Sequence, residues 1–266
     1  ALSGINLAIS QLVLKEEAYF DKIVDPAAGS YYIENLTNSI VENAWQQFLE
    51  IEDQGGFIQA FKNEYIQKQI EETARKRDLD IATKKEIFLG TNQYANTDKK
   101  INKDIDRTIC FPVDNQLKTE VLPLKFYRGT KAFEELRLRT ENHDHTPKVF
   151  MLTYGNLTMR KARASFSSNF FASAGYEIIN NLGFEKITDG ITEAKQKQAD
   201  IIVICSSDDE YPDIVPQVLE KVNNRIPVVL AGYPKEHIES FKKAGLQYFI
   251  HIKSNLLETL TEFHKL

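Results

Sequence analysis

Chemistry in this chain would have to come from a few clusters of polar residues, and each lacks a partner that its chemistry needs. The five histidines are His143, His145, His237, His251 and His264. His143 and His145 flank Asp144, but a zinc-type site takes three or four protein ligands, and no further histidine or cysteine stands at metal-ligand spacing. The triplet therefore reads as a solvated stretch. His251 lies in the apolar run from Tyr248 to Ile252, where a satisfied structural histidine is expected in place of a base. Cys110 and Cys205 are far apart, with no CxxC, and Cys205 ends the run Ile201-Ile202-Val203-Ile204. Both are expected to be reduced and inert. The paired acids Glu71-Glu72 and Glu134-Glu135 fall in helical pattern, where a wet face explains them.

From Lys148 onward, strand-like and helix-like runs alternate. Strands are predicted at Val149 to Thr153, Tyr176 to Ile179, Asp200 to Cys205, Pro227 to Ala231 and Tyr248 to Ile252, and helices at Met159 to Ala174, Ile191 to Gln198, Tyr211 to Val222, Lys235 to Ala244 and Asn255 to Phe263. Repeated βα units imply a parallel sheet covered on both faces, and the expected fold class is α/β, a flavodoxin-like doubly wound parallel sheet of five strands. Ligands of such sheets bind beyond the carboxyl ends of the strands, at the switch point. That rule selects the loops beginning at Tyr154-Gly155-Asn156, at Ser206-Ser207-Asp208-Asp209-Glu210 and at Gly232-Tyr233-Pro234. No GxGxxG or phosphate-loop lysine accompanies Gly155, and the three carboxylates of the second loop repel a phosphate. A phosphoryl-acceptor domain of this topology would need magnesium-binding carboxylates after the first strand, where none stands, although Lys253 suits one of its requirements.

The first 82 residues are helical in pattern. Leu2, Ile5, Ile9, Leu12 and Val13 share one face; Ile40, Val41, Ala44, Trp45, Phe48 and Ile51 form a second run that ends at Gly55-Gly56; Phe57, Ala60, Phe61, Tyr65, Ile66 and Ile70 form a third. Three such helices could close on each other as a bundle or end a larger domain. The loop Asp25-Pro26-Ala27-Ala28-Gly29-Ser30-Tyr31-Tyr32-Ile33-Glu34 joins the first two, with Pro26 fixing φ, Gly29 free to take positive φ, and Tyr31 and Tyr32 expected to anchor it. Periodicity weakens over 83–146, a connector with one helix expected from Thr130 to Thr140.

Composition narrows the classes. A net charge of −5 and 27% charged residues describe a soluble globular chain with no field for nucleic acid or anionic membrane. The basic groups around Lys99, Lys100 and Lys103, and around Arg75, Lys76 and Arg77, are interleaved with Asp78, Asp80, Asp98 and Asp104. No secretory segment and no membrane-spanning run is evident, and a cytoplasmic location is expected.

Taken together, Asp25-Pro26-x-x-Gly29-Ser30-Tyr31-Tyr32-x-Glu34-x-Leu36-Thr37, Ala44, Phe48, Gly55-Gly56 and Gly90-Thr91-Asn92-Gln93-Tyr94 resemble the methylmalonyl-CoA mutases, and the resemblance extends over the terminal βα domain. It implies that residues 1–82 are the helical end of an acyl-CoA-binding (β/α)8 barrel lacking most of its length, that 83–146 is a linker, and that 147–266 is a cobalamin-binding-like domain. Members that bind cobalamin carry Asp-x-His-x-x-Gly after the first strand of that domain, the imidazole binding cobalt, the aspartate holding its other nitrogen and the glycine admitting the nucleotide tail. Here the segment is Gly155-Asn156-Leu157-Thr158-Met159-Arg160-Lys161-Ala162-Arg163, without histidine or aspartate, and no histidine lies between His145 and His237. The guanidinium and ammonium groups of Arg160, Lys161 and Arg163 offer cobalt no lone pair. Ser206 matches the family's serine after the third strand, and Ala231-Gly232 stands where the family has a glycine pair.

The resemblance therefore points to the non-catalytic small subunit of an adenosylcobalamin-dependent isomerase. No residue of this chain is expected to be catalytic or to hold metal, no cofactor is expected on it, and adenosylcobalamin is expected in a homologous catalytic large subunit, its partner in a heterodimer. Gly155, Thr158, Arg160, Ser206 and Gly232 would line a vestigial pocket. Two rivals stand beside this reading: an active acyl-CoA mutase with unusual cobalamin ligation, and a free-standing flavodoxin-like binding module.

Overall fold

A computed structural model describes residues 2–98, 100–101, 121–223 and 225–265, with side chains from residue 8 onward. The chain divides into two compact units, one of residues 1–68 and 119–123, the other of residues 69–118 and 124–266. Cys110 lies outside the described residues.

In the first unit, α1 (Leu2–Glu16), a short 3-10 turn (Phe20–Lys22), α2 (Tyr31–Asp53) and α3 (Phe57–Lys62) follow one another, and α4 (Tyr65–Ala82) begins there. The loop before α2 is tied locally: the Asp25 carboxylate accepts from Ala27 N at 3.0 Å and Glu34 from Gly29 N at 3.3 Å, and Gly29 has φ +78°. Tyr31 and Tyr32 do not anchor that loop. They open α2 and are 88% and 74% exposed, because the helix begins as soon as Ser30 ends the turn. The third apolar run is two helices, parted where Glu64 takes φ +60°. No residue of α2 is buried, and Ile40, Val41, Trp45 and Phe48 stand exposed on it.

The second unit holds one parallel sheet of β1 (Lys148–Thr153), β2 (Glu177–Ile179), β3 (Ile201–Cys205), β4 (Val228–Ala231) and β5 (Tyr248–Ile250), in the order β2-β1-β3-β4-β5. Its helices are α5 (Lys131–Asn142), α6 (Leu157–Ala172), α7 (Ile187–Gln196), α8 (Tyr211–Val222), α9 (Ile238–Lys243) and α10 (Leu256–Phe263). Strand side chains alternate between faces, and both faces are apolar. Val149, Met151, Val203 and Val229 pack with Phe170 and Phe171 of α6, Leu260 and Phe263 of α10 and Phe133 and Leu136 of α5. Phe150, Leu152, Ile202, Ile204 and Leu230 pack with Ile191 of α7, Val215 and Val218 of α8 and Phe241 of α9. Burial on both sides is what uninterrupted apolar strands require. The switch point therefore falls between β1 and β3.

The connector contributes to this core. Besides α5, it contains Asn92, which is fully buried and donates to the carbonyls of Ile81 and Glu86 at 3.0 and 2.9 Å while accepting from Phe88 N at 2.8 Å. One amide thus closes the Gly90-to-Tyr94 turn onto the end of α4.

Candidate functional site

The crevice at the carboxyl ends of β1, β3 and β4 is filled by this chain's own side chains. After β1 the backbone turns at Gly155, with φ +73°, and Asn156 caps α6, its side chain accepting from Thr158 N and Met159 N at 3.1 Å each. After β3, Glu210 reaches back across the crevice. Its carboxylate accepts from Asn156 N at 3.1 and 3.2 Å, from Ser207 N at 3.2 Å, from Ser207 Oγ at 2.8 Å and from Ser206 Oγ. Ser206 Oγ also lies 2.8 Å from the Tyr154 carbonyl. Burial pushes the Glu210 carboxyl up, but the donations from the two serine hydroxyls and from the backbone N–H groups of Ser207 and Asn156 outweigh it and hold the acid below its ordinary range.

Two arginines complete the filling. Arg160, on the first turn of α6, donates to the carbonyls of Gly155 and Leu182 at 3.2 Å each, with its guanidinium over Gly183, where a Cβ would lie 2.5 Å from Cζ. Arg163 pairs with Asp208 at 2.9 Å, and its Nε is buried without a hydrogen-bond partner. This pair borders Gly232, where an added Cβ would come within 3.2 Å of Asp208 Oδ1 and of the Tyr211 ring. Tyr211 Oη donates to the Ala231 carbonyl at 2.6 Å and accepts from Ser206 N at 3.3 Å. Gly155, Arg160, Ser206 and Gly232 thus meet around one crevice, while Thr158 enters through its backbone N–H alone. The residues that fill it, Glu210, Arg163 and Asp208, had no sequence signal beyond an acidic loop and a basic helix start.

Around the filled crevice the rim is apolar. Leu157, Leu182, Tyr233 and Ile252, in the loops or helix start after β1, β2, β4 and β5, are 52%, 95%, 45% and 80% exposed. Among the described residues from Lys148 on, no other large apolar side chain is exposed. His251 sits beside them, its ring 4.9 Å from that of Tyr233 and its Nδ1 accepting from Lys253 N at 3.1 Å. Burial, then the Lys253 charge, lowers its pKa. His145 lies at the other end of the sheet, paired with Asp200 at 2.7 Å. Among the described residues no group of three or more His, Cys, Asp or Glu side chains is placed to hold a metal ion, and no helix is long and apolar enough to cross a membrane.

The fold is a flavodoxin-type α/β sheet whose switch-point crevice holds the chain's own Glu210, Arg160, Arg163 and Asp208 side chains. The chain belongs to the methylmalonyl-CoA mutase family: that family's model, described as methylmalonyl-CoA mutase, matches residues 5–138. It is 48% identical to the methylmalonyl-CoA mutase small subunit of Porphyromonas gingivalis, over 96% of this chain and 41% of that protein. It is 32% identical to the probable methylmalonyl-CoA mutase small subunit of Mycobacterium tuberculosis, over 79% of this chain and 32% of the relative. A methylmalonyl-CoA mutase of Rhizobium meliloti is 40% identical over 32% of this chain and 12% of its own length. The chain thus spans about two fifths or less of the length of these relatives.

The crevice does not fit cobalamin. The segment from Gly155 to Arg163 offers cobalt no imidazole, and the Glu210 carboxylate stands directly against Gly155, 2.3 Å from where a Cβ would lie.

Proposed function

We propose that this chain is the C-terminal part of the small, non-catalytic subunit of an adenosylcobalamin-dependent methylmalonyl-CoA mutase, a cytoplasmic heterodimer in which a homologous large subunit holds the cofactor and interconverts methylmalonyl-CoA and succinyl-CoA. The observation that carries the reading is the segment from Gly155 to Arg163, which offers cobalt no imidazole, beside a crevice in which the Glu210 carboxylate is held by four donor groups. The names of the relatives point the same way.

On this reading residues 1–82 are the last helices of an acyl-CoA-binding barrel, 83–146 a linker and 147–266 a cobalamin-domain relative that serves as scaffold. The bare apolar face of α2 suits a helix that packs on further protein, since patches of this kind mark contact surfaces. The apolar rim of Leu157, Leu182, Tyr233 and Ile252 likewise suits a sheet edge covered by protein. Gly155, Thr158, Arg160, Ser206 and Gly232 are the remains of a pocket.

The test is reconstitution. The natural-length protein is purified with and without the longer homologue, each is mixed with hydroxocobalamin, and turnover and the absorption spectrum are recorded. Co-elution of the two chains, with cobalamin and activity tracking the longer one, is the expected result. Turnover or a histidine-bound cobalamin spectrum from the short chain alone would overturn the proposal.

A further inference from the structure

An open cavity lies beside α6 at the β2 edge of the sheet, reaching Thr153 of β1 and Ile178 of β2 and sharing Arg160 and Leu182 with the crevice and its rim. It measures about 630 Å³ between α6, the loop after β2 and residues 94–97 of the connector, within the 300–1,000 Å³ usual for small-molecule sites. Acidic residues outnumber basic ones in this chain, 38 to 33, yet none lines this cavity, while Arg160 and Lys161 both do. Arg160 donates to two neutral carbonyls and to no carboxylate, so its charge is not neutralised and, of its five N–H groups, others remain to meet an anion. Lys161 is exposed and has no ion pair among the described residues. Hydroxyl and amide side chains, Ser165, Asn169 and Asn180 among them, line the cavity as well.

The connector wall is held in place. Tyr94 has φ +53°, a left-handed backbone uncommon for a side-chain-bearing residue, and its N–H donates to Asn169 Oδ1 at 3.2 Å. Two residues on, the Asn96 carbonyl accepts from the Arg137 guanidinium of α5. So fastened, the segment sets the 66%-exposed ring of Tyr94 at the cavity. Two cations, neutral hydrogen-bonding groups and an aromatic face together suit an anion that carries a planar ring.

We propose that this cavity binds a phosphorylated small molecule bearing a planar ring, with the phosphate on Arg160 and Lys161 and the ring on Tyr94. The proposal rests on the cavity alone and stands or falls apart from the subunit reading. ADP is the probe, with adenosine and inorganic pyrophosphate as its separate halves, titrated calorimetrically into the 266-residue chain and into its Lys161→Glu and Tyr94→Ala variants. Both substituted side chains are exposed, so the fold should survive, and circular dichroism checks it. ADP should bind more tightly than either half. Each substitution should weaken it about tenfold, the size of one charge-assisted contact, and added salt should weaken it further. Absence of ADP binding up to roughly millimolar concentration, or ADP binding that neither substitution alters, would overturn the proposal. Pyrophosphate binding as tight as ADP, untouched by Tyr94→Ala, would overturn the ring-bearing class.

Discussion

The Glu210 carboxylate stands in the space that a side chain on Gly155 would claim. A Cβ built on Gly155 would lie 2.3 Å from both carboxylate oxygens, well inside any tolerable contact, so the glycine and the acid are matched across the ends of β1 and β3. The match is chemical as well as steric, since the residue after that glycine donates its backbone N–H to the same acid.

Replacing Glu210 with Gln keeps its shape and removes its charge. The variant should lose about 1 to 2 kcal/mol at neutral pH, the scale of hydrogen bonds to a charged group. Glu210 titrates below its ordinary value of 4.5 in the fold, so its contribution is present above about that pH and is lost as the pH falls through the lower folded value. Urea denaturation of both proteins between pH 7 and 3 should show the difference shrinking in the acid range; a difference constant with pH would refute the charge argument.

Gly155→Ala meets two obstacles, a positive φ and the Glu210 oxygens. A loss of about 1 to 3 kcal/mol is expected. In the Glu210→Ala background the steric part should disappear and the backbone part persist, so the two substitutions should be non-additive in a double-mutant cycle.

Asn92→Ala would leave the Glu86 carbonyl and the Phe88 N–H without their partner and take from the Ile81 carbonyl one of its two donors, the other being Lys84 N. A loss of about 3 kcal/mol is expected from buried groups left unpaired, with hydrogen exchange accelerated across residues 80–94. Asn92→Asp should be no rescue, because a carboxylate cannot donate to the two carbonyls.

Cys205 is a free thiol in the core, and burial pushes its pKa up to about 12. In a Cys110→Ser background, a thiol-reactive dye should label nothing until denaturant unfolds the second unit, and labelling should then follow the loss of circular dichroism. Rapid labelling of the native protein would contradict the burial.

The sheet could be read from its residues because fully buried parallel strands are unbroken apolar runs, and Ile201 to Cys205 or Val228 to Ala231 need no tertiary knowledge. Boundaries moved where a cap or turn decides: Asn156 starts α6 two residues earlier than the apolar pattern does, and Tyr31 opens a helix instead of fastening a loop. The site was half legible. Absence of a cobalt ligand is a property of a segment, visible at Gly155 to Arg163. The filled crevice is a property of the fold, because Glu210 meets Gly155 only once β3 lies beside β1. In sequence the acid was one of three carboxylates that would repel a phosphate; in the structure its charge is met by serine hydroxyls and backbone donors. Asn92 stood in sequence only as part of the Gly90-to-Tyr94 motif, and its role was hidden for the same reason, since an asparagine in a polar connector looks like any turn residue until its amide is found between two carbonyls.

Trp45 is the single tryptophan of the chain, and it stands 60% exposed on α2 with its ring 5.3 Å from that of Phe48. The protein therefore carries its own optical gauge on the face that its apolar helix leaves bare. Any macromolecule that settles there must strip water from one indole, and the shift of its emission to shorter wavelength would report the event, its stoichiometry and its rate without a label.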